Sequence, residues 1–105
     1  MKNKSIYVLH ADVCKALGHP IRIEIIEVLQ EDELSFGDIL SKIGGLKSTL
    51  SQHLTIMAHK GLLAQRKKGI NVYYKLSSAK VSKACRLMRE VLVENIQRHQ
   101  VILNQ

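Results

Sequence analysis

The stretch that most constrains this chain is LKSTLSQHLTIMAHKGLL, residues 46–63. Leu46, Leu50, Leu54 and Met57 recur at steps of four, four and three, the repeat of one apolar helix face. The other side carries Lys47, Ser48, Thr49, Ser51, Gln52, His53, Thr55 and His59. These side chains are short or planar, and they bring the donors and acceptors that base edges and phosphates pair with. An ordinary surface helix mixes Glu with Lys on its wet side, and here the acids are missing. Gly61 ends the helix, as a residue free to turn left-handed does. The stretch predicts a helix that packs on a core with one side and offers the other to a polyanion.

Charge placement supports that expectation. The net charge is +7, and between Ile39 and Arg89 there is no Asp or Glu at all, while eleven of the sixteen Lys and Arg residues fall there. A one-signed field of this extent attracts a polyanion and speeds its capture. It also excludes a paired-carboxylate active site from the middle of the chain. No glycine-rich phosphate loop, nucleophile elbow or HExxH is present, so an enzyme is not expected.

The remaining segments surround this helix. Residues 4–17 read as helix α1, with Ile6, Leu9, Val13 and Leu17 in one stripe. Gly18 ends it, and Pro20 opens α2 (20–30), where its missing N–H costs nothing. Ile21, Ile25, Ile26 and Leu29 are its core side. Glu31, Asp32 and Glu33 form an acidic exit, and Leu34–Ser35 suit a short strand. Ser35 and Asp38 are spaced as a cap for α3 (36–43), which buries Phe36, Ile39, Leu40 and Ile43. Gly44 and Gly45 turn the chain into the polar helix, α4 (46–60). Two helices joined by a short glycine turn, the second with a basic outer side, make a helix-turn-helix.

After Gly61 the period changes. Residues 62–66 and 70–76 alternate as two short strands, with Arg66, Lys67, Lys68 and Gly69 between them. A basic hairpin after a recognition helix is a wing, expected to lay Arg66, Lys67, Lys68 and Lys75 on a phosphate backbone or in a minor groove. Ser77 or Ser78 caps α5, which runs to about residue 103. Val81, Cys85, Met88, Leu92, Ile96 and His99 recur near the coiled-coil period, so α5 is expected to pair with a second copy. A dimer also spaces two recognition helices for a two-fold DNA site. At 105 residues the length suits a single domain, residues 1–105. No apolar run is long enough for a membrane span. The start, MKNKSIYVLHAD, turns polar too early for a secretory signal, which points to a reducing cytoplasm with free thiols.

These residues resemble the ArsR-type winged-helix repressors. KALGHPIRIEIIEVL (15–29), STLSQHLTIMAHKGLL (48–63) and KKGINVYYKL (67–76) carry the resemblance, which covers about residues 5–100. It implies a mainly α fold with a small β-hairpin, in the order α1-α2-α3-α4-β-β-α5, homodimeric through α1 and α5. It implies a repressor that holds an inverted-repeat operator in double-stranded DNA and releases it when a small inducer binds. It also implies that Ser48, Thr49, Ser51, Gln52 and His53 face the DNA and that Gly69 sits at the wing tip.

The inducer is not evident. One family metal site needs a Cys-x-Cys where this chain has Glu33-Leu34-Ser35-Phe36-Gly37-Asp38. A second needs Asp and His ligands where it has Ser78, Lys80, Val91 and Glu94. Family members that sense reactive sulfur carry a cysteine pair on α2 and late in α5, where this chain has Glu27 and Val93. Cys14 and Cys85 instead fall on α1 and α5. Three readings stay open: a thiol switch at this pair, two silent core cysteines, or a metal held by His10 and Cys14 with Cys85 or His99. A further alternative is a DNA-binding architectural protein that senses nothing.

Overall fold

The computed structural model describes residues 4–103. In order these are α1 (Ser5–Leu17), α2 (Pro20–Leu29), β1 (Leu34–Ser35), α3 (Phe36–Ile43), α4 (Lys47–His59), β2 (Leu63–Lys68), β3 (Asn71–Leu76) and α5 (Ala79–Leu103). The expected order holds, with one addition. β1 does not stand alone: it pairs antiparallel with β3, giving a three-stranded sheet ordered β1-β3-β2. The expected basic loop of residues 66–69 is shorter than anticipated. Arg66, Lys67 and Lys68 belong to β2, and only Gly69 and Ile70 lie between the strands. Gly69 has φ +63°, which suits it to the tip of a two-residue hairpin.

The helix ends follow from local chemistry. Pro20 is at the start of α2, and the His19 ring caps that helix by accepting the N–H of Ile21 at 3.1 Å. Ser35 Oγ accepts from Asp38 N–H at 3.1 Å and opens α3. Ser78 Oγ accepts from Lys80 N–H at 3.2 Å at the head of α5. Gly44 and Gly45, at φ +81° and +83°, form a left-handed corner between α3 and α4 that few other residues tolerate.

The core sits between α2, α3, α4 and the sheet. Ile25, Ile26 and Leu29 of α2, Ile39 of α3, and Leu54 and Met57 of α4 are fully buried. Leu62, Leu63, Tyr74 and Leu76 close it from the sheet side. Within α1 only the C-terminal half joins this core, through Ala16, Val13 and Leu17. Ile6, Tyr7, Val8 and Leu9 are exposed, as are Leu87, Met88, Leu92 and Ile96 on α5. The two terminal helices therefore carry apolar surface that this single chain leaves uncovered.

The core gives a first expected outcome. Leu54→Ala should cost about 2–5 kcal/mol of stability, the range for emptying a fully enclosed leucine site. Urea unfolding at fixed protein concentration checks it; a loss well under 1 kcal/mol would contradict the packing described.

Candidate nucleic-acid interface

The outer side of α4 is built by default. Its buried side is Leu50, His53, Leu54 and Met57, so residues about half a turn away must face solvent. Lys47, Ser48, Ser51, Gln52, Thr55 and His59 are exposed, and Thr49 is half-buried. No acid stands in the first turn, and the N-cap, Leu46, offers no side-chain acceptor to the first N–H groups. Those free donors and Lys47 favour an anion at this end.

Two sequence expectations change here. Leu46 is not part of the buried face: it is 72% exposed, because the helix starts one residue later. His53 takes its place on the buried side, at 8% exposure. Its Nδ1 accepts a hydrogen bond from Arg22 Nε at 3.0 Å, and its ring lies 4.4 Å from that of His19. It does not face outward with Ser51 and Gln52. Burial pushes its pKa down, and His19 and Arg22 push it the same way.

The wing is basic but not uniformly available. Arg66 is tied to Glu33 through two bonds, Nη2 to Oε1 at 2.6 Å and Nε to Oε2 at 3.2 Å. Its guanidinium also lies 4.9 Å above the Tyr73 ring. The hydrogen bond to Arg66 holds the Glu33 carboxyl below the usual carboxylate range. Arg66 therefore braces the wing rather than projecting freely. Cross-strand partners share a sheet face, and Val72, Tyr74 and Leu76 are the inward set. Lys68, paired with Asn71, and Lys75, paired with Ala64, lie on the outer face with Arg66. Lys67, opposite Val72, lies on the other. The four cations do not form one line. Lys67, Lys68, Gly69 and Lys75 are exposed, and among the described residues none of these lysines has an ion pair.

Other cations of the acid-free tract are neutralised by acids from outside it. Lys60 Nζ meets Asp12 at 2.7 Å and Arg89 meets Glu27 at 2.9 Å. The free positive charge is thus concentrated at the α4 head, the wing and the start of α5.

Cys14 is exposed on α1, and Cys85 is half-buried on α5 against the core. Both thiols are free within the chain. Burial pushes the Cys85 thiol up, with Arg89 opposing. A cleft of about 60 Å³ beside it, between α2 and α5, is lined by Ile26, Glu27, Arg86 and Arg89 among others. It has room for a few waters and no more. Among the described residues no three His, Cys, Asp or Glu side chains gather as a metal site, so His10, Cys14, Cys85 and His99 are not brought together within one chain. Also among the described residues, no helix is long and apolar enough to cross a membrane.

Sequence reading overlooked Arg22 and Glu33. Each acts on a residue more than thirty positions away, and only the singular Arg22 within GHPIR hints at a role.

A glycine-cornered helix pair with a polar, basic second helix and a braced basic hairpin defines a winged helix-turn-helix. The helix-turn-helix domain family matches residues 17–66. Over 93 residues the chain is 36% identical to the HTH-type transcriptional regulator Rv0081 of Mycobacterium tuberculosis, covering 88% of this chain and 82% of that protein. The crystal structure of Rv0081 superposes with a TM-score of 0.81 at 32% identity, over 92% of this chain and 98% of the other. The homodimeric winged helix-turn-helix DNA-binding domain Mb0332 of Mycobacterium bovis superposes with a TM-score of 0.81 at 25% identity, over 94% of each chain. The biofilm growth-associated repressor of Xylella fastidiosa is 33% identical over 72 residues, 69% of this chain and 63% of its own. This chain belongs to the ArsR-type winged helix-turn-helix transcriptional regulators.

The bracing of the wing can be checked directly. Glu33→Ala should leave the helices folded and loosen β2 and β3, seen as lowered backbone order parameters at residues 66–73. Unchanged order there would remove the Glu33–Arg66 pair from the wing's supports.

Proposed function

We propose that the chain is a repressor that binds double-stranded DNA as a homodimer, on an inverted-repeat operator, as a single winged-helix unit spanning residues 1–105. One observation carries the reading: the exposed side of α4 is polar and free of acids, while the side behind it is locked into the core. Ser48, Ser51 and Gln52 read base edges, with Thr49 at the margin and Lys47 on a phosphate. Lys67, Lys68 and Lys75 hold the backbone beside the site, and Gly69 lets the wing tip approach closely. The apolar residues left open on α1 and α5 are the dimer surface, consistent with the homodimeric relative described above. With an acid-free outer side on α4 and unpaired lysines on the wing beside it, binding rather than catalysis is the role this chain is built for, in a cytoplasmic setting.

Induction goes through the thiols in this reading. What favours it is their position: Cys14 and Cys85 lie on the two helices whose apolar sides are uncovered. Polysulfide is the oxidant: the two thiols lose their protons and become bridged through one of its sulfurs, while its S–S bonds break and the remaining sulfur leaves as hydrosulfide. The bridge changes the angle between protomers and so the spacing of the α4 helices. Cys14 is the accessible thiol and reacts first.

Replacing Lys67 and Lys68 together by Ala should lower affinity for all duplexes and flatten the salt dependence, by about 0.9 in log–log slope for each phosphate no longer neutralised. A fluorescence-anisotropy salt titration measures it; an unchanged slope would show that the wing does not touch phosphates. Polysulfide should release DNA from the native protein and not from Cys14→Ser. Release from both would retire the thiol switch and leave the repressor.

A further inference from the structure

Arg22 occupies an unusual position for a buried-side cation. Its Nε donates to His53 Nδ1 at 3.0 Å and its Nη1 donates to the Ala16 carbonyl at 3.2 Å. Both acceptors are neutral, and among the described residues no carboxylate pairs with this guanidinium. One side chain of α2 therefore ties the end of α1 to the middle of α4.

This arrangement fixes a protonation state. Arginine can only donate, so His53 Nδ1 must carry a lone pair and the ring is neutral, with its hydrogen on Nε2. The neighbouring His19 is fixed in the same way, because its Nδ1 accepts the N–H of Ile21. Protonating His53 would turn the acceptor into a donor facing an arginine, beside a second imidazole at 4.4 Å. Protonating His19 would remove the cap of α2. The other elements packed on α4 offer no relief. On α1, Asp12 is taken by Lys60 just after α4, and on β2, Arg66 is turned to Glu33.

We propose that Arg22 and His53 are positioning residues for DNA reading, and that α4 keeps its seat only while the His53 imidazole is neutral, so that acid releases the DNA. The inference rests on the DNA-binding reading above. The sign is distinctive. His53 is held neutral in the folded chain, so its contribution is complete above the ordinary histidine pKa of 6.5 and is lost as pH falls below it. Added positive charge on a DNA-facing surface would instead tighten binding to phosphate in acid, the opposite direction.

His53→Asn separates the two effects, because its amide oxygen can accept from Arg22 and does not titrate. Anisotropy would be read on a labelled duplex from immediately upstream of the protein's own coding sequence, from about pH 8 to about pH 5.5. Native affinity should fall about tenfold relative to the variant, as expected for losing a hydrogen bond to a charged group. Parallel profiles would overturn the inference. The DNA-free protein gives an independent arm that needs no variant. Imidazole ¹⁵N shifts should show His53 protonating only in acid, together with loss of amide protection along α4. Protonation of His53 with α4 protection unchanged would overturn the inference whatever the DNA result. Absence of DNA binding at every pH would count against the repressor reading alone, since the ¹⁵N arm still decides the role of His53.

Discussion

The narrow buried side of α4 is the constraint on which the other features depend. Leu50, Leu54 and Met57 lie in the core between α2, α3 and the sheet, with Leu54 and Met57 fully enclosed. A helix held on three such side chains cannot roll without exposing them, at roughly 1.5–3 kcal/mol for each large apolar group. Its polar side is therefore presented in one orientation. The glycine corner before it and the Gly61 turn after it fix where it enters and leaves. Ser77 Oγ, donating to the Gly61 carbonyl at 2.6 Å, ties the end of the sheet back to that exit.

Electrostatics adds a second layer to the same geometry. Acids are placed where they restrain cations: Asp12 on Lys60, Glu33 on Arg66, Glu27 on Arg89. All three pairs are substantially solvent-exposed, so they orient side chains more than they stabilise the fold. Their effect is to sort the basic residues into braced ones and free ones. The free lysines cluster at the α4 head and along the wing, where a phosphate backbone would pass.

Most of the architecture was legible in the sequence because it is written in local signals. Pro20, the Ser35 cap, the paired glycines at 44 and 45, and the change to alternation after Gly61 each mark a boundary found in the structure. The phase of α4 was not legible. The sets 46/50/54/57 and 50/53/54/57 share three members, and a polar histidine looks like the wrong choice for a core position. What makes His53 acceptable there is Arg22, 31 residues earlier, which no helical period can reveal. Arg66 was misjudged for the same reason: its partner Glu33 is 33 residues away, and β1 brings the two together. On α5 a pairing surface was readable because its apolar repeat runs longer than one chain of this size encloses; for α1 that expectation came only from the family resemblance.

In the proposed function, two α4 helices of one homodimer read a two-fold DNA site, and hydroxyl-radical footprinting on the protein's own upstream region checks this. Two symmetric protected half-sites are predicted, centred about one helical turn (10–10.5 base pairs) or a whole multiple apart. Protection of a single unsymmetric stretch, or uniform protection without half-sites, would contradict the claim.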